Sequence, residues 1–248
     1  MIISSQSACS ADLSPVKHCN LNFWLNYFES NRKLREGIAL PGDLFLNEEL
    51  KPVLLRSLQR FQIGESGDGK HLKKYALRVK DERYLRIINF FIKEEQEHGN
   101  LLAQVILSFD GSLLNFHWSA LAFIFLRRIF ALKTEILVLL IAEIIGKCFY
   151  RCLAERLPDE RLRYLFALIV LDEVAHLEFH GEFLAERFQN YPAFLKISIK
   201  LLYSFVFRAA LVVFLFDHAA CLEALAVSKK EFYEQAFREF RRSLALIF

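Results

Sequence analysis

Glycine and proline are scarce, nine and five in 248 residues. Few turns are signalled, and long helices are expected. Strong charge of either sign is missing too. A formal net charge of +3 gives little attraction for polyanions. No basic stripe interleaved with aromatics runs through the chain, so no nucleic-acid partner is expected. No secretory leader is legible: Met1 to Pro15 is short, polar and Ser-rich, without a charged start or a long apolar stretch. It reads as a loose tail. The five cysteines, Cys9, Cys19, Cys148, Cys152 and Cys221, are odd in number and form no regular framework. A reducing compartment, the cytoplasm, is expected. Cys148 and Cys152, four apart on one predicted helix, read as two small buried hydrophobes. What is plentiful is apolar surface. At 54% hydrophobic with 25 Phe, the chain can bury a sizeable core.

Two stretches carry the chemistry. One is Leu171-Asp172-Glu173-Val174-Ala175-His176-Leu177-Glu178-Phe179-His180; the other is Lys93-Glu94-Glu95-Gln96-Glu97-His98. Each contains Glu-x-x-His, as Glu95 with His98 and Glu173 with His176. Three residues apart on a helix, the carboxylate and imidazole share one face. The copies are related by an offset of 78 positions, which also relates Asp81-Glu82-Arg83 to Asp159-Glu160-Arg161 and Glu65 to Glu143. Within each copy the spacing is symmetric. Glu65 and Glu95 lie 15 residues either side of Lys80, and Glu143 and Glu173 lie 15 either side of Pro158. If each copy is a helical hairpin turning there, its lone Glu is level with its Glu-x-x-His. Two packed hairpins then place four carboxylates and two imidazoles at mid-height. That set suits two first-row metal ions about 3.5–4 Å apart, with carboxylates bridging and imidazoles adding nitrogen ligands.

From roughly Asn47 to Asn190 the sequence resembles the ferritin-like di-iron carboxylate family, whose motif is a Glu from each of two helices and a Glu-x-x-His from each of two more. The resemblance implies an all-α fold: a ferritin-like four-helix bundle with additional N- and C-terminal helices. The chain would form one domain over 1–248, with a tail at 1–15, a metal-binding bundle at 47–190 and further helices at 192–248. The implied ligands are Glu65, Glu95, His98, Glu143, Glu173 and His176, holding two Fe ions, with Mn or a mixed Mn/Fe pair as alternatives. Asp-Glu-x-x-His is similar to the form in the larger oxygen-activating members, where the extra acid accepts the distal N–H of the histidine on the partner helix. By that analogy Asp172 holds His98 and Glu94 holds His176. The implied function is O2-dependent oxidation of a small organic substrate, with electrons from an external donor. Iron storage, detoxification or peroxide reduction is the alternative. The absence of Cys-x-x-Cys speaks against an attached rubredoxin-like iron site.

The remaining expectations follow chain order. Asn20 to Glu36 is a first helix with Phe23, Trp24, Tyr27 and Leu34 as packing contacts. Asn47 caps a second helical pattern running to about Val79. This pattern crosses Gly64-Glu65-Ser66-Gly67-Asp68-Gly69, where each interior glycine costs about 1 kcal/mol relative to alanine. A loop splitting the helix is one reading. The matched spacing favours the other, a continuous helix thinned beside Glu65. Asp81 caps the next helix, which ends near Phe109-Asp110-Gly111. A linker from Ser112 to Ala131 crosses the bundle, with Ala120 to Phe130 itself able to be helical. Leu132 to Leu157 carries Glu143 in an apolar setting that ligation would explain; Glu135 competes for the role but breaks the offset. Pro158 turns the chain and Asp159 caps the fourth helix. Phe91, Ile92, Leu139, Leu140, Ile169 and Val170 lie a turn from the ligands and read equally as core or as the dry lining of an oxygen-activating site. Gly69 or Gly146 could open a pocket. His180 reads as a core histidine, or as an extra ligand or proton donor. Phe194 to Phe216 is very apolar but interrupted by Lys196, Lys200 and Arg208, so a buried or membrane-resting helix is expected. A homodimer face there is an alternative. Ser228-Lys229-Lys230-Glu231 opens a last helix with a capping box.

Overall fold

The structure is a computed structural model and describes residues 19–35, 42, 44–118 and 132–248. The N-terminal tail with Cys9, and the linker segment Ala120 to Phe130, lie outside the described residues. The described residues are all-helical, with no strands. In chain order they form α1 (Leu21–Arg35), α2 (Leu50–Glu65), α3 (Lys70–Ala76), a 3-10 turn (Leu77–Val79) and α4 (Glu82–Ser108). After the linker come α5 (Leu132–Arg156), α6 (Glu160–Phe188), α7 (Ala193–Asp217), α8 (Ala219–Ala224) and α9 (Lys229–Ile247).

Two hairpins make the bundle: α2 packs along α4, and α5 packs along α6. Both second helices start on an aspartate in extended conformation. Asp81 accepts from the Arg83 N–H, and Asp159 from the Arg161 and Leu162 N–H groups. Such a cap satisfies donors that the first helical turn leaves open. Ser228 does the same for α9, accepting from the Glu231 N–H at 3.1 Å, and Asn47 accepts from the Leu50 N–H at 3.2 Å. The core runs through both hairpins and onto α1 and α9. Cys19, Cys148, Cys152 and Cys221 are buried free thiols, and burial pushes the Cys148 and Cys152 thiols up to about 12.

Four expectations need correction. The helix before Lys80 is not continuous. It stops at Glu65, and a loop through Gly67-Asp68-Gly69 leads to α3. Gly69 sits at φ +62°, and a Cβ there would come within 2.5 Å of Ile92. The glycines therefore make a turn against α4, and Gly69 opens no pocket. Space at Gly146 is faced by Phe61 and Tyr150. On α1, Phe23 and Leu34 are exposed, and the packing face is Trp24, Phe28 and Asn31. Last, α7 is buried along one stripe only, which leaves the membrane-resting and dimer-face readings standing. Only Tyr203, Phe207, Leu211 and Phe214 are buried, while Phe194, Ile197, Leu201, Leu202, Phe205, Val212 and Phe216 are exposed. Its cations turn back to the protein: Lys200 lies over the Phe248 ring and Arg208 over the Phe237 ring. By length and composition α7 could cross a membrane.

Candidate metal centre

The offset repeat brings its residues to one place. Two groups of ligand atoms come together in the bundle, Glu95 with Glu143, Glu173 and His176, and Glu65 with Glu95 and His98, each group lying within 4.8 Å. Glu95 belongs to both. Each helix of the two hairpins contributes: Glu65 from the last turn of α2, Glu95 and His98 from α4, Glu143 from α5, and Glu173 and His176 from α6.

Glu65 reaches the centre because α2 and α4 approach closely at Gly99. A Cβ on Gly99 would lie 2.9 Å from the Ser66 Oγ and 3.4 Å from the Glu65 carbonyl carbon. Only hydrogen at this position lets the end of α2 come so near. Glu65 is then held by Tyr150, whose Oη donates to its Oε1 at 2.5 Å.

Both imidazoles point Nδ1 inward. His176 Nδ1 is 3.2 Å from Glu95 Oε1, 3.5 Å from Glu143 Oε2 and 3.6 Å from Glu173 Oε2. His98 Nδ1 is 3.5 Å from Glu173 Oε1 and 3.7 Å from Glu95 Oε1. Glu95 and Glu173 thus both lie between the histidines, and Glu173 turns one oxygen to each. His98 Nδ1, His176 Nδ1, Glu95 Oε1 and Glu173 Oε2 are buried without a hydrogen-bond partner. Leaving such atoms dry is costly unless something satisfies them. The separations suit a shared metal better than hydrogen bonds. Ligands about 2.0–2.2 Å from one ion, at tetrahedral to octahedral angles, stand roughly 3.0–3.5 Å apart. Four carboxylates and two imidazoles therefore fit two divalent ions in charge and donor type.

The electrostatics state the same need. Burial, then the nearby Glu95 and Glu173 carboxylates, push Glu65 well above the usual carboxylate range. Burial, then Glu173 and Glu95, do the same to Glu143. For Glu173 burial pushes upward but is outweighed by its neighbours, the Glu143 carboxyl and then the His176 and His98 imidazoles, which hold its carboxyl low. Burial likewise opposes charge on the two imidazoles, yet their carboxylate neighbours hold both well above the ordinary histidine value. Raised carboxyls at Glu65 and Glu143 and raised imidazoles at His98 and His176 all mark a place that favours positive charge. Metal ions would supply that charge.

Outside the centre, each histidine is anchored by its Nε2. His98 Nε2 lies 3.1 Å from Asp172 Oδ2, and His176 Nε2 lies 2.9 Å from Glu94 Oε2. Phe91 meets the His176 ring edge-on at 4.7 Å, and Phe28 stacks on it at 6.1 Å. Leu139, Leu140 and Ile169 are buried, while Ile92 and Val170 are partly buried against the core. His180 is buried, edge-on to Phe91 at 4.8 Å, and lies outside both ligand groups. Glu135 is buried and also lies outside both.

Sequence reasoning overlooked four side chains around the centre: Phe28, Asn31, Arg35 and Tyr150. Three belong to α1, which is not part of the repeat. The available signal was the spacing Trp24, Phe28, Asn31, Arg35, a single helical stripe with a polar residue within it. Tyr150 lies seven residues after Glu143, two turns along the same face of α5. Comparison of the chain with family models, curated proteins and solved structures gave no match.

Proposed function

We propose that the chain is a ferritin-like di-iron carboxylate protein that uses O2 to oxidise a small organic substrate, with electrons from an external donor. One observation carries the reading: two ligand groups inside the bundle, each with its own buried, inward-facing histidine, share Glu95. When bound there, a pair of iron ions would supply the redox change that O2 reduction requires. Manganese or a mixed pair would use the same ligand atoms.

The chain's own residues do the rest. Glu65 with His98 would hold one ion and Glu143 with His176 the other, and Glu95 and Glu173 lie between the two histidines. Asp172 and Glu94 orient the imidazoles and raise their basicity as ligands. Phe28, Phe91, Leu139, Leu140 and Ile169 keep water from the centre. His180, one turn after His176 and edge-on to Phe91, would influence O2 chemistry without serving as a ligand. The uncovered apolar side of α7 supports contact with a membrane surface or with a second copy of the chain. Sedimentation with and without vesicles distinguishes these.

Iron storage or detoxification is the competing function. A histidine in each half of the centre favours the oxygenase reading, because ferritin-type ferroxidase sites usually lack the second one. Anaerobic loading with Fe(II), followed by O2 and a panel of small substrates, decides. The proposal expects iron to stop at two per chain and O2 uptake to follow product. Iron accumulating far beyond two per chain without organic product would refute it.

A further inference from the structure

Helix α1 stands outside the four helices that carry the ligands, yet one of its side chains touches both halves of the centre. The Asn31 Nδ2 lies 2.9 Å from Glu94 Oε1 and 2.9 Å from Asp172 Oδ1. An amide oxygen at that point would face two carboxylate oxygens, all of them acceptors. The nitrogen must be there, with each hydrogen given to one acid. The opposite oxygens of those acids accept from the histidines: Glu94 from His176 and Asp172 from His98. One amide thus terminates two buried chains of charge-assisted hydrogen bonds.

We infer that Asn31 is a positioning residue that joins the two ligand groups through a single junction, fixing both histidines with Nε2–H outward and Nδ1 toward the centre. The inference rests on the two-metal reading for its purpose, but the junction can be tested without metal.

The two arms are unequal, and this makes the inference specific. Asp172 Oδ1 also accepts from the Arg35 guanidinium, at 2.7 Å from Nη2 and 3.3 Å from Nε. Among the described residues, the hydrogen bonds to Glu94 come from Asn31 and His176. Loss of the amide therefore frees the Glu94–His176 arm more than the Asp172–His98 arm, which keeps its arginine. Loss of the arginine does the reverse. An aspartate at position 31 has the same shape and the wrong polarity, since it would set a third carboxylate against two others.

The test uses 1H–15N correlation spectra of the metal-free chain, following the hydrogen-bonded Nε2–H protons of His98 and His176, and Zn(II) titrations of the same samples. In Asn31→Ala the His176 proton is expected to exchange faster than in the parent, with His98 less affected. Zn(II) affinity should fall about 10–100-fold, as expected for loss of an outer partner of a metal-bound histidine. Asn31→Asp should be worse than Asn31→Ala. In Arg35→Gln the His98 proton should suffer and the His176 proton should not. Should the Asn31 variants fail to fold, the Asn31 side-chain amide of the parent decides: both Nδ2 protons should be protected from exchange, and a freely exchanging amide would overturn the inference. Unchanged protons in the Asn31 variants, or Asn31→Asp behaving like the parent, would overturn the inference by reducing Asn31 to packing. The expected proton pattern in a parent chain that binds no Zn(II) would uphold the junction and sink the two-metal reading.

Discussion

Gly99→Ala sets helix propensity against close packing at the point where Glu65 enters the centre. Gly99 is buried inside α4, and alanine in a helix interior is favoured over glycine by about 1 kcal/mol. Against this, the added Cβ would sit 2.9 Å from the Ser66 Oγ, 3.3 Å from the Ser66 N and 3.4 Å from the Glu65 carbonyl carbon. The Ser66 hydroxyl cannot swing away freely, because it donates to the Gln62 carbonyl at 2.7 Å and accepts from the Gln62 side chain at 2.8 Å. The backbone contacts require α2 to withdraw by a few tenths of an ångström. Overpacking of this kind costs about 1–3 kcal/mol. The net loss should be about 0–2 kcal/mol, or up to roughly 8 °C in Tm at about 2–4 °C per kcal/mol. Urea unfolding measures it. The displacement falls on Glu65, so the group of Glu65, Glu95 and His98 should loosen while that of Glu143 and His176 keeps its ion. Metal analysis after partial chelation reads this as a fast and a slow ion per chain. A variant stabilised by the full helix-propensity gain, with metal release like the parent's, would refute the close approach of α2 and α4.

Two further substitutions test how the bundle is held. Lys147 Nζ and Glu239 Oε2 form a buried pair at 2.5 Å that ties α9 to α5 one turn from Glu143. Glu239→Ala leaves the ammonium without its partner and should cost about 3–5 kcal/mol, whereas Lys147→Met with Glu239→Leu should recover most of that; urea curves of the three chains check both values. Asp159 is held below the usual carboxylate range by the Arg161 guanidinium, against burial and with help from the Phe45, Leu162 and Arg161 N–H groups. A depressed folded value means its stabilisation is complete above the unfolded value of about 3.9 and is lost as pH falls through the folded one. Asp159→Ala should therefore cost about 1–2 kcal/mol near neutrality, and the gap from the parent should close in acid; a gap independent of pH down to the acid limb would contradict the cap's ionised role.

The centre was legible in the sequence because it repeats. An offset of 78 positions ties Glu65 to Glu143, Glu95 to Glu173 and His98 to His176, and helical geometry turns matched spacing into matched height. The caps at Asp81 and Asp159 were legible for the same local reason. Asn31 and Arg35 were hidden because α1 has no copy, and their importance comes from long-range contacts. The glycine-rich stretch misled because spacing around Lys80 holds whether or not the helix is continuous. Glu65 needs to be the last residue of α2, and nothing beyond it has to be helical. For α7, composition showed an apolar helix but could not show that Lys200 and Arg208 bend back onto the protein, leaving the outer stripe bare.

The central claim is that these six side chains hold two metal ions. Metal analysis of the anaerobically Fe(II)-loaded chain, beside Glu143→Ala and Glu65→Ala, tests it most directly. The account predicts two ions per parent chain. Glu143→Ala should lose the ion at His176, and Glu65→Ala the ion at His98, each with the helical fold intact by circular dichroism. A parent chain that holds one ion or none after loading would contradict it.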